Sequence, residues 1–207
     1  MVRTTKSLHA SLDALAAAEP GFREALAVHG TPEPRLSAPG VETLLRTIVG
    51  QQVSVAAARS MWAKLIAKYG QPVDLHALLK ATDEQLREAG LSRQKAGYAR
   101  SLSGLVLSGE LDLAHLPEDD EEAIALLTKI KGIGRWSAEI YLLFAEGRGD
   151  VWPAGDLAVQ ISIGRILAMA ERPSEKQLRE IAEAWRPHRG AAAVLAWHSY
   201  NSTGTAL

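Results

Sequence analysis

Residues 127–141, LTKIKGIGRWSAEIY, decide the fold. An apolar-periodic helix ends near Thr128, the turn Gly132-Ile133-Gly134 follows, and a second amphipathic helix begins at once. Two glycines permit a tight turn and the close approach of another backbone. The unpaired N–H groups at the start of the second helix, aided by its dipole, can hold a phosphate. Ile133 is placed to plug the core between the two helices. Lys129, Lys131 and Arg135 would surround a bound strand with positive charge. A plain helix–turn–helix connection with glycine at a C-cap would read the same way from Gly132 and Gly134 alone.

Outward from this hairpin the chain keeps a helical period. Alanine and leucine dominate, β-branched alternation is almost absent, and helices are expected near 5–18, 21–29, 40–49, 53–69, 74–79, 83–89, 92–108, 120–128, 136–146, 157–169, 174–184 and 188–199. Thr82 before Asp83 and Glu84, and Ser174 three residues ahead of Gln177, carry N-cap chemistry. The acidic run 118–122 after Pro117 suits a helix N-terminus, where negative charge meets the dipole. The expected fold class is all-α, with two helical lobes flanking a cleft. An N-terminal helical segment, 1–35, is expected to pack on a main body, 36–207. The Pro/Gly-containing stretch 30–40 would connect them, and 147–156 forms a second loop between strong helices.

With 207 residues the chain can bury a sizeable core, and 47% hydrophobic with 23% charged residues is an ordinary globular balance. It has no cysteine, which removes disulfides, thiolate zinc sites, iron–sulfur clusters and cysteine nucleophiles. The first residues lack the apolar core of a signal peptide, and no apolar run approaches the roughly 20 residues of a membrane helix. A cytoplasmic setting, associated with the nucleoid in a bacterium, is expected. The net charge of -1 argues against a protein that coats nucleic acid nonspecifically, but leaves room for one small basic footprint.

Downstream of the hairpin lies VWPAGDLAVQISIGRIL, residues 151–167, in which Asp156 directly precedes an apolar-periodic helix. Such an aspartate is ordinarily an N-cap. A fixed carboxylate also suits a reaction that develops positive charge on a sugar. Asp150, the nearest rival, lies inside the loop with no helix behind it and ranks below Asp156.

The pattern apolar-x-Gly-apolar-Gly-x-x-Ser/Thr-Ala over 130–138, then a Gly/Pro loop with Pro153 and Asp156 at a helix start, resembles the helix-hairpin-helix DNA glycosylase superfamily. That resemblance implies base excision repair on double-stranded DNA with Asp156 as catalytic residue. It implies no cofactor for the chemistry, and a Na+ or K+ held by the main-chain carbonyls of Thr128, Ile130 and Ile133. Relatives that cut the strand carry a lysine at position 136, which forms a Schiff base. Trp136 there resembles instead the compact, monofunctional form of the bacterial 3-methyladenine DNA glycosylase II branch. Cationic methylated bases suit aromatic faces. AWRPHRGAAAVLAWHSY, residues 184–200, resembles the same branch and implies that Trp197 stacks on the flipped base, while Trp185 packs in the core. Tyr141 falls one position from a pocket tyrosine of some relatives, where this chain has Ile140. Ordinary packing is the competing reading for each tryptophan.

Gln-Gln-Val-Ser at 51–54 resembles the turn that enters the minor groove and fills the gap behind an extruded nucleotide, with Gln52 as the wedge. Gln51, Gln52, Ser54, Lys131, Gly132, Ile133, Gly134 and Arg135 are thus the expected DNA contacts. The competing reading is that Gln51 and Gln52 cap the following helix. The protein is expected to act as a monomer, without a membrane. Two other functions stay open: a noncatalytic helix-hairpin-helix module that binds DNA structures, and a glycosylase for oxidised purines with lyase activity.

Overall fold

Residues 5–203 are described by a computed structural model. The first four residues of the expected 1–35 segment and the last four of 36–207 lie outside the described residues. Among the described residues all regular structure is helical, in the order α1 (Thr5–Ala18), α2 (Pro20–His29), α3 (Val41–Gly50), α4 (Val55–Tyr69), α5 (Leu75–Lys80), α6 (Asp83–Glu88), α7 (Arg93–Leu107), α8 (Asp120–Leu127), α9 (Arg135–Phe144), α10 (Leu157–Ile166), α11 (Glu175–Ala182) and α12 (Arg189–Ser202), with a 3-10 turn at Glu183–Trp185. No described helix is long and apolar enough to cross a membrane.

Local chemistry sets the helix boundaries. Thr82 with Gln85 and Ser174 with Gln177 form complete capping boxes at the heads of α6 and α11. Asp119 caps α8, and Asp120, Glu121 and Glu122 occupy its first turn. The helix expected over 157–169 stops at Ile166, because Ala168 takes φ 49 in the left-handed region. That expected over 174–184 passes into the 3-10 turn after Ala182.

The chain divides into two compact units, with one boundary at Ser37/Ala38 and a second at Tyr141/Leu142. One comprises the residues up to Ser37 together with those from Leu142 onward; the other is Ala38–Tyr141. The N-terminal segment is therefore part of the same unit as the C-terminal helices. The reason is α12, whose residues from Gly190 to Ala196 are all buried, so that the helix must be covered on every side. α1, α2 and α10 all pack on it. Phe22 of α2 is fully buried against Trp185, ring centroids 5.0 Å apart and edge-on, and Trp152 meets Trp185 edge-on at 5.5 Å. Trp185 is thus a core residue, as expected.

In the second unit Leu44, Leu45, Ile48 and Val49 give α3 an apolar stripe that faces α4 and α7, and α5 and α6 also pack on α7. The boundary falls inside α9, so the hairpin belongs to this unit and the loop bearing Asp156 to the other.

If the N-terminal helices are integral to their unit, Phe22→Ala should cost about 3–5 kcal/mol, the range for emptying a buried aromatic site. Urea denaturation measures this; a loss below about 1 kcal/mol would mean that α2 is only appended.

Candidate functional site

α8 ends at Thr128 and unwinds through tight bonds from Lys129 N to Leu126 O (3.2 Å) and Ile130 N to Leu127 O (3.1 Å), and Ile133 N donates to Ile130 O at 3.0 Å before α9 begins. Ile130 is fully buried and Ile133 nearly so, which fills the core between the helices as the spacing predicts. The two glycines serve different ends. Gly132 has φ +85, and a Cβ there would sit 2.1 Å from the Tyr98 ring, so the protein itself excludes a side chain. Gly134 has an ordinary φ and nothing within 4 Å of its Cβ position. Its bareness is demanded by nothing among the described residues and leaves the turn open to an approaching backbone.

Lys129 and Lys131 are exposed. Arg135 is not the open cation that its position suggested. Its two terminal nitrogens bond the Glu121 carboxylate, and Nε donates to Glu139 Oε1 at 3.0 Å. The Glu121 hydrogen bond is the largest influence raising its pKa above the ordinary arginine value. The acidic run therefore reaches past its helix cap and balances the charge at position 135. The Thr128 and Ile133 carbonyls accept no hydrogen bond from any described residue, and Ile130 O accepts only that of Ile133 N. Three carbonyls with lone pairs to spare fit a hard monovalent cation. No cluster of three His, Cys, Asp or Glu suited to a metal exists among the described residues.

The turn at 51–54 is tied to the hairpin. Gln51 Nε2 donates to Gly132 O at 2.7 Å, so this side chain positions the turn. Ser54, not either glutamine, caps α4: its Oγ accepts from Ala57 N at 3.2 Å. Gln52 is exposed with φ 55, a conformation that costs a non-glycine residue energy and clusters at functional positions. Lys95 braces the same turn, as sequence reasoning did not foresee. Its buried Nζ donates to Val49 O at 2.8 Å, in the last turn of α3, and burial lowers its pKa. A cavity of about 710 Å³ opens here, bounded by Gln51, Gln52, Lys95, Tyr98, Gly132 and Trp136. Trp136 is 47% exposed on the first turn of α9, the opposite of a core tryptophan. Tyr141 is buried, and its hydroxyl accepts from Gly40 N at 2.8 Å.

In the other unit Asp156 caps α10, as its sequence position implies. Its Oδ1 accepts from Val159 N at 3.0 Å and from Trp197 Nε1 at 3.1 Å. Trp197 also lies against Phe144, centroids 5.5 Å apart. Its N–H thus has a task that its position in the sequence did not reveal. Asp150 is committed to Arg186 and Arg189. Trp152 is buried, its Nε1 donating to Leu178 O at 3.2 Å.

Residues 45–187 match the family model described as HhH-GPD superfamily base excision DNA repair protein. The chain belongs to this superfamily. It is 31% identical over 160 residues to DNA-3-methyladenine glycosylase 1 of Schizosaccharomyces pombe, covering 75% of this chain and 70% of that protein. A putative DNA-3-methyladenine glycosylase of Bacillus subtilis is 26% identical over 164 residues; the match covers 75% of this chain and 57% of that relative, so the chain spans little more than half its length. Among solved structures, the DNA-3-methyladenine glycosidase of Bacillus halodurans superposes with a TM-score of 0.86 at 28% identity, over 95% of this chain and 91% of that one.

For this superfamily member the two glycines should separate in experiment. Gly132→Ala should lower folding stability by more than about 1 kcal/mol, since alanine is incompatible with that backbone. Gly134→Ala should leave the melting temperature unchanged yet weaken duplex DNA binding. Equal thermal losses for both would contradict the assignment.

Proposed function

We propose that this protein is a monofunctional DNA glycosylase that releases alkylated bases of the 3-methyladenine and 7-methylguanine type from double-stranded DNA in base excision repair. The observation that carries the reading is Asp156, fixed at the head of α10 by Val159 N–H and Trp197 Nε1–H, in a chain of the HhH-GPD superfamily. Its similarity to DNA-3-methyladenine glycosylases supports the substrate class.

In the proposed reaction the C1′–N bond breaks and its electron pair leaves with the base. N-alkylated purines are cationic and leave readily, so little proton donation is required. The sugar becomes oxocarbenium-like, and the Asp156 carboxylate opposes its positive charge. Water adds its oxygen to C1′ and gives up a proton, completing hydrolysis. Trp136 supplies no amine, so no Schiff base forms and the strand stays intact. An exposed indole at this position favours a cationic base.

The hairpin unit takes the DNA backbone. Lys129, Lys131 and the bare Gly134 meet the phosphates, the carbonyls of Thr128, Ile130 and Ile133 would hold a monovalent cation beside them, and Gln52 is the plug behind the extruded nucleotide. Arg135, balanced by Glu121 and Glu139, serves the hairpin's own structure. We infer a monomer working in the compartment that holds the DNA.

Asp156→Asn should reduce base release from methylated duplex DNA by roughly 100-fold or more, the scale of losing transition-state charge stabilisation, while binding of abasic DNA persists. Near-normal release by the variant would sink the mechanism. Should the unaltered protein bind damaged duplex but release no base, a noncatalytic DNA-structure-binding role would replace it. Lys131→Ala should reduce the salt slope of duplex binding by about 1, as loss of one phosphate contact does; Arg135→Ala should leave the slope nearly unchanged.

A further inference from the structure

Asp150 is the carboxylate that the proposed chemistry leaves unused, yet it is among the most heavily bonded side chains described. It accepts from Arg189 Nε at 3.0 Å and NH2 at 3.0 Å, from Arg186 NH1 at 2.6 Å, and from Arg189 N at 3.4 Å. Glu183 closes the cluster by accepting from Arg186 Nε at 2.8 Å and Arg189 NH1 at 2.9 Å. The Arg186 hydrogen bond is the main influence holding Glu183 below the ordinary carboxylate range.

The contact from Arg189 N has a structural meaning. α12 starts at Arg189, and its N-cap residue, His188, makes no side-chain cap bond. Asp150 therefore supplies from a remote loop the negative charge and the acceptor that a helix N-terminus calls for. A backbone bond from Gly190 N to Gly149 O, 2.8 Å, reinforces the junction. The same loop ends at Asp156, and Asp156 is bonded by Trp197, which lies on the same helix. Both ends of the 150–156 segment are thus anchored on α12, eight residues apart, or about 12 Å along a helix axis. Six residue steps could reach about 20 Å if extended, so chain length alone leaves the carboxylate free to wander. The two anchors on α12 fix it together with the Val159 N–H cap bond and the buried Trp152 indole.

We propose that Asp150 and Arg189 are positioning residues for the Asp156 carboxylate, acting through α12 and the indole N–H of Trp197. The inference rests on Asp156 as the reacting carboxylate for its catalytic consequence, and on geometry alone for its structural one. Breaking the Asp150–Arg189 junction releases the first turn of α12 and the start of the loop together, and the Trp197–Asp156 bond loses its register.

The test has two independent readouts. In Asp150→Asn, the indole N–H of Trp197 should lose protection from hydrogen exchange by at least tenfold, while that of Trp152, which donates to Leu178 O in the core, keeps its own. Single-turnover release of 7-methylguanine should fall at least tenfold with duplex affinity changed less than twofold. In a Trp197→Phe background the same substitution should cost less than twofold further, because both act through one contact. Arg189→Lys should recover part of the rate relative to Arg189→Gln, and it serves as the probe if Asp150→Asn does not fold. Unchanged Trp197 exchange, a full additive loss in the double variant, or rate losses that only follow the unfolded fraction would overturn the proposal. An unaltered protein that releases no base would remove the functional reading, and the exchange measurement would still decide the clamp.

Discussion

Asp156 Oδ1 takes two hydrogen bonds, from Val159 N at the head of its own helix and from Trp197 Nε1 on another. Each donor requires a different part of the fold. The first needs α10 to begin at Leu157, which ties the carboxylate to local capping. The second needs α12 to run beside α10 in a fixed register, and α12 is covered by α1, α2 and α10. An aspartate that would otherwise only cap a helix is thereby held in one orientation. Pre-organisation of this kind is what electrostatic catalysis demands, since a carboxylate already in place need not reorganise when charge develops.

The hairpin unit follows the same logic with different groups. Its exposed features are a bare Gly134, two open lysines, a left-handed Gln52 and a half-exposed Trp136. Beneath them lie contacts internal to the unit: Gly132 against the Tyr98 ring, the buried Lys95 on the end of α3, and Gln51 joining turn to hairpin through Gly132 O. Strain at Gln52 persists because Gln51 and Lys95 fix the backbone just before it.

Much of this was legible in the sequence because it is local. Helices declare themselves through a 3.6-residue period and through caps such as Ser174 with Gln177, and Asp156 was readable as a cap for the same reason. The Gly-Ile-Gly spacing and the tryptophan at 136 carried the family. What stayed hidden depends on contacts far apart in the chain. Nothing near residue 35 tells that α1 and α2 must cover α12, so the second boundary, at Tyr141/Leu142, stayed hidden. Glu121 lies fourteen residues before Arg135 and neutralises it by folding, not by adjacency. The direction of the Trp197 N–H is a rotamer choice that composition cannot disclose. The Asp150 cluster gathers residues from the loop, the 3-10 turn and α12, and only the fold brings them together.

The most direct measurement is product analysis of the unaltered protein on single-lesion duplexes, comparing 3-methyladenine and 7-methylguanine with 8-oxoguanine, each with and without borohydride. Release of the methylated bases, an intact strand and no covalent protein–DNA adduct are expected. Release of 8-oxoguanine with a borohydride-trapped adduct would contradict monofunctional hydrolysis, because that chemistry requires an amine where this chain presents Trp136.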